Sequence, residues 1–164
     1  MIKLKVKTTR KNDLLKKYAS KIKNMRESFS KLVGVALPKL IIDEILSGIS
    51  PVRNHKFKTY APSYKKAIVK YYSKKGKSIS PVNMKLSGKM LNSIRFIKGS
   101  RLIDLAEISF TDPKARYHTV DGIKRKDGVV KRKLLPIGRG EKFNAEISDM
   151  IREAIIKSIS VEGR

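Results

Sequence analysis

The stretch Ser80-Pro-Val-Asn-Met-Lys-Leu-Ser-Gly-Lys-Met-Leu-Asn-Ser-Ile-Arg-Phe96 decides how this chain is read. Pro81 enforces an extended approach, Ser87 is a candidate helix N-cap, Met90, Leu91 and Ile94 make an apolar stripe, and Arg95-Phe96 opens a strand. The spacing predicts a short helix that runs directly into a sheet. Two basic helical segments precede it, and a hairpin, a tight loop and an amphipathic helix follow. That order predicts an α+β fold, with a small, mainly antiparallel sheet packed with a long N-terminal helix, a basic middle helix and an amphipathic C-terminal helix.

Working upstream, residues 61–75 read as the basic helix. Pro62 starts it, Tyr64, Ala67, Ile68, Tyr71 and Tyr72 fall on one side, and Lys65, Lys66 and Lys70 on the other. Lys74, Lys75 and Lys77 close it. Residues 12–48 read as one long helical segment. Its apolar positions, Leu15, Tyr18, Ile22, Met25, Phe29, Leu32 and Ala36, are spaced alternately three and four apart, which makes a narrow stripe. Such a stripe packs either on another subunit or on the chain's own sheet. Pro38 is expected to kink the helix, and Gly48 and Pro51 to stop it. Residues 1–11, with basic and apolar side chains alternating over 2–7, form either an edge strand or a basic arm, and Thr8 to Lys11 are expected to break the chain.

Downstream, residues 86–137 should hold the short helix and the sheet. Arg95–Lys98 and Arg101–Phe110 read as strands joined by the two-residue connection Gly99-Ser100. Both faces of the second strand mix polar and apolar residues, which predicts a sheet covered on both sides, at least at its centre. Ala115–Val120 is a candidate further strand, and Asp121-Gly122 and Asp127-Gly128 mark turns. Residues 140–159 carry Phe143, Ile147, Met150, Ile151, Ala154, Ile155 and Ile159 on one helical face, with Glu141 near the N-terminus where the helix dipole favours an anion. The 164 residues suit a single domain.

Charge is the compositional anomaly: 39 Lys and Arg against 14 Asp and Glu give a formal net of +25. No carboxylate side chain occurs between Glu44 and Asp104, whereas residues 134–164 carry five basic and five acidic groups. A field this one-sided repels itself unless something anionic lies against it, or it is simply a solvated Lys-rich surface. The candidate contacts with DNA or an acidic partner are Lys65, Lys66, Lys70, Lys74, Lys75, Lys77, Lys124, Arg125, Lys126, Lys131, Arg132 and Lys133. Such residues neutralise phosphates without reading sequence.

Chemistry is sparsely signalled. There is no Cys, hence no disulfide, thiolate metal site or cysteine nucleophile. His55 and His118 have no fixed spacing to paired carboxylates, and Asp104 and Glu107 fall on opposite faces of a strand, unlike the paired acids of a nuclease. Gly76-Lys77-Ser78 ends a helix and lacks the first glycine of a phosphate loop. Gly138-Arg-Gly-Glu-Lys-Phe143 brings glycines to a helix N-terminus, where they serve either an anion or a tight turn. The expectation is a non-enzyme with no catalytic residue, metal or cofactor. No apolar run approaches the ~18 residues of a membrane span, so no membrane partner is expected and the chain reads as soluble.

Gly48-Ile-Ser-Pro-Val52, Phe57-Lys-Thr-Tyr60-Ala-Pro-Ser-Tyr64-Lys65 and Leu86-Ser87-Gly88-Lys-Met-Leu91-Asn-Ser93-Ile94 together resemble segments of the head-to-tail joining proteins of tailed bacteriophages, a family of neck, tail-completion and tail-terminator proteins. Ala115-Arg-Tyr-His118 and the proline-containing approach Arg132-Lys-Leu-Leu-Pro136-Ile-Gly-Arg-Gly-Glu141 are similar too. The resemblance spans residues 48–158, with a later glycine, Gly122, and an inserted basic loop over 124–133 as departures. It implies a structural virion protein, assembled in the host cytoplasm into a homo-oligomeric ring at the neck. Its expected partners are portal, adaptor or tail proteins, with non-specific contact to packaged DNA. The alternative is a sequence-independent nucleic-acid-binding protein acting outside the particle.

Overall fold

A computed structural model describes residues 9–52, 55–72, 80–82, 84, 88–99, 105–126, 128–137 and 139–160. The arm or strand expected at 2–7, the Ser87 cap and residues Lys74, Lys75, Lys77, Leu86 and Asp104 lie outside these residues.

Helix α1 (Thr9–Val33) leads to α2 (Ala36–Ser47). Residues 9–11, expected as part of a break, are already helical. The interruption falls at Gly34-Val35 and not at Pro38. Pro38 is the third residue of α2, inside the first turn, where helical N–H groups have no intrahelical acceptor and a missing donor costs nothing. Leu37, Ile41 and Ile45 of α2 are buried. Gly48 ends the helix in the left-handed region at φ 83, its N–H reaching the last carbonyls, and a Cβ there would stand 2.7 Å from Pro81 Cβ.

Helix α3 (Pro62–Tyr72) starts at its proline as expected. The short helix before the sheet is only a 3₁₀ turn, Leu91–Ser93. Strand β1 (Ile94–Lys98) then pairs antiparallel with β2 (Ala106–Phe110), Ile94 opposite Phe110 and Lys98 opposite Ala106. A two-residue connection would have placed Arg101 opposite Lys98, so the register replaces the tight hairpin with a seven-residue link. Ile94, Phe96, Ile108 and Phe110 face the core, whereas Arg95, Ile97 and Glu107 are exposed. The ribbon is therefore covered on one face, not both.

The expected strand at 115–120 is instead helical: α4 (Lys114–Arg116) runs into a π-helical turn, Tyr117–Asp121. The expected basic loop contains a second hairpin, β3 (Ile123–Arg125) with β4 (Gly128–Val130). Among the described residues the sheet is thus two separate two-stranded ribbons. Helix α5 (Ala145–Ser160) begins five residues later than expected because Asn144 caps it, Oδ1 accepting the Ile147 N–H at 3.0 Å. Glu141 lies before the helix. Its carboxylate accepts the Ile137 N–H at 3.2 Å and pairs with Lys133 Nζ at 2.8 Å.

The core runs between the helices. α5 packs along α1 and also touches α2, and β1 rests on both α1 and α2. Phe29 meets Phe96 with ring centroids 6.4 Å apart, and Ile41, Ile45, Leu134 and Ile147 are fully enclosed. Ser50 joins the two halves: its Oγ donates to the Lys133 carbonyl at 2.9 Å, while the Pro51 carbonyl accepts the Asn144 N–H at 2.8 Å. The Gly48-Ile-Ser-Pro segment is therefore the crossing point between the helical half and the approach to α5.

Candidate functional site

The basic residues singled out in sequence divide into three groups. Lys66, Lys70, Lys124, Lys126 and Lys131 are exposed, and Lys65 is half-buried. Lys133 is tied to Glu141, and Arg125 spends its Nη2 on the Thr59 carbonyl at 2.8 Å. Arg132 is not a surface residue at all. Its side chain is 1% exposed, its Nη2 donates to the Lys58 carbonyl at 3.0 Å, and its guanidinium carbon lies 5.4 Å from the centre of the Tyr60 ring. Expected among the contacts with DNA or an acidic partner, Arg132 is thus enclosed in the single chain and not presented on its surface. The run Lys131-Arg132-Lys133 suggested a basic patch, but Val130, Arg132 and Leu134 point inward while Lys131 is exposed. That period-two alternation was the available signal.

Arginine 132 floors a cavity of about 380 Å³ between the start of α3 and the β3–β4 ribbon. Tyr60 and Tyr64 form an aromatic wall, edge to face with centroids 5.1 Å apart. Met84 and Met90 close it from the segment before β1, and Lys114, Lys124 and Arg125 add positive charge. Met84 adopts φ 54, an uncommon conformation for a side chain of this size, and its N–H donates to the Tyr60 hydroxyl at 2.9 Å. Sequence reasoning singled out Lys124, Arg125 and Arg132 but not Lys114, and it read Tyr64 and Met90 as members of apolar helical faces and not as the lining of a cavity.

His118 lies beside Arg132, whose N–H donates to the His118 carbonyl at 2.8 Å. Burial, with the Arg132 charge adding to it, pulls His118 down to about 4 from an ordinary 6.5. It is neutral at physiological pH. Burial lowers Arg132 as well, with the Arg125 charge second. Glu44 is raised by burial, with a smaller upward push from Glu146, while its hydrogen bond from Asn144 opposes them.

The residues that carried the resemblance do structural work in this chain. Ser93 Oγ donates to the Met90 carbonyl at 2.7 Å and accepts the Asp112 N–H at 3.0 Å, fastening the 3₁₀ turn to the end of β2. Leu91 and Ile94 are buried, and Gly88 takes φ 74. Pro136 lines a second concavity of about 590 Å³ with Ile108, Phe110, Ala115, Leu135 and Phe143. Gly140 precedes α5 by five residues, so the glycines of the 138–143 segment do not open the helix.

Among the described residues no three His, Cys, Asp or Glu side chains gather into a metal site, and no helix is long and apolar enough to cross a membrane. A comparison with protein-family models, curated proteins and solved structures finds no match to the chain.

Proposed function

We propose that this protein is a structural component of a tailed-bacteriophage virion, a ring-forming connector at the joint between head and tail. The observation that carries this reading is the exposed apolar stripe on α1: Leu15 is 67% and Tyr18 62% exposed on a helix whose later turns, at Phe29 and Val33, enter the core. The helix outruns the fold it belongs to, and its remaining stripe suits a neighbour. Ile156 and Ile159 of α5 add a further exposed apolar pair. A closed ring needs two different, mutually fitting faces on each subunit, and these helices supply the contacts. The exposed lysines then meet acidic neighbouring proteins or the packaged genome, with the ordering of the motif segments along the chain as the further support.

The test is assembly. Purified protein, concentrated and viewed by negative-stain microscopy and native mass spectrometry, is expected to form closed rings. The double variant Leu15→Lys, Tyr18→Lys should be monomeric while its unfolding free energy stays within about 0.5 kcal/mol of the parent, because both side chains are largely solvated in the single subunit. A parent that is monomeric at every concentration and binds duplex DNA with a steep salt dependence would favour the nucleic-acid-binding alternative instead.

A further inference from the structure

A buried cation is normally matched by a carboxylate, because desolvating a charge without a partner is unfavourable. Arg132 is not matched: among the described residues its Nε and Nη1 have no hydrogen-bond partner. One peptide carbonyl and the face of Tyr60 support it, Tyr60 and Tyr64 favour its charge, and the nearby Arg125 adds like charge. His118 cannot compensate, being neutral, and its own Nδ1 is also unpartnered. An anion is therefore missing from this place on electrostatic grounds.

We infer that the cavity lined by Arg132 is a binding site for an organic carboxylate, the acid head pairing with Arg132 and the apolar body lying along Tyr60, Tyr64, Met84 and Met90. The wall chemistry selects the ligand class. A planar carboxylate matches a planar guanidinium, whereas a phosphate is more strongly hydrated and wants several converging donors that apolar walls do not offer. Lys114 and Lys124, both exposed, attract the acid to the mouth. Arg132 lines the cavity while its Nε and Nη1 are enclosed, and the unbranched methionines are the wall members that yield most readily to admit the head to them. The positive φ of Met84 places the adaptable side chain there. The acid can be a free small molecule or the side chain of a docked protein segment; the recognising chemistry is the same.

The chain has five methionines, so methyl labelling places reporters in the cavity wall at Met84 and Met90. Titration with benzoate should shift these two methyl signals saturably, while benzyl alcohol, its neutral counterpart, and inorganic phosphate should bind at least about tenfold more weakly. Arg132→Met should lose benzoate by a similar factor. Should that variant fold poorly, Lys114→Glu with Lys124→Glu, both on the exposed rim, should weaken benzoate by about threefold or more without altering the remaining spectrum. A blocked Phe-Glu-Phe peptide binding more tightly than benzoate assigns the acid to a partner protein, and weaker peptide binding assigns it to a free molecule. Absence of saturable shifts, equal affinity for benzyl alcohol or phosphate, or rim variants that bind benzoate as the parent does would overturn the inference.

Discussion

Ile147→Ala is expected to lower the unfolding free energy by about 3 kcal/mol, inside the range of about 2 to 5 for emptying a fully enclosed aliphatic position. Ile147 is completely buried on α5, a helix that packs against α1 and α2, so the lost side chain leaves a hole in the core. The melting temperature should fall by roughly 6 to 12 °C for a chain of this size. The control is on the same helix: Ile156, which is exposed, should tolerate alanine within about 0.5 kcal/mol. Equal losses at the two positions, measured by urea unfolding, would mean that α5 does not present the face described.

Acid should destabilise the fold through His118, and the direction follows from its environment. The unfolded chain binds a proton at an ordinary imidazole value of 6.5, whereas the folded chain resists until about 4. Between those values the unfolded state holds the extra proton. The stability is therefore complete above about pH 6.5 and drains away as pH falls toward 4, at up to about 1.4 kcal/mol per pH unit. Glu44, raised by burial, works in the opposite sense and loses stability as pH rises through its range, so the parent's profile alone mixes the two. Comparing the parent with His118→Gln removes the ambiguity. Their difference in unfolding free energy should shrink steadily, or change sign, from about pH 7 down to about pH 4.5. A difference that is flat with pH would place His118 in water.

The helices were legible because each depends on a stripe that its own residues announce. Phe29 and Ile147 are buried on the helical faces that the sequence marked out, and Pro62 begins α3. The errors share one cause, that local signals lose to tertiary ones. Pro38 looks like a breaker but is harmless in a first turn, so Gly34-Val35 became the interruption. Gly99-Ser100 looks like a complete two-residue turn, yet Lys98 stands opposite Ala106. Residues 115–120 read as a candidate strand, but Ala115 packs into the core from a helical turn.

The same lesson holds for the candidate site. A run of Lys and Arg predicts a solvated basic face, and most of its members are exposed, but Arg132 occupies an inward position between Val130 and Leu134. Nothing in composition separates a buried arginine from its neighbours. What brings Tyr60, Met84 and His118 around it is the folding back of the β3–β4 ribbon onto the start of α3, a long-range arrangement held by Arg125 and Arg132 on the carbonyls of Thr59 and Lys58.

The most direct test of the proposed role is to look at the particle. Mass spectrometry of purified virions, with imaging of the neck at subunit resolution, should find this polypeptide in a fixed copy number forming one closed ring between portal and tail. Fully assembled, infectious particles that contain none of it would contradict the proposal.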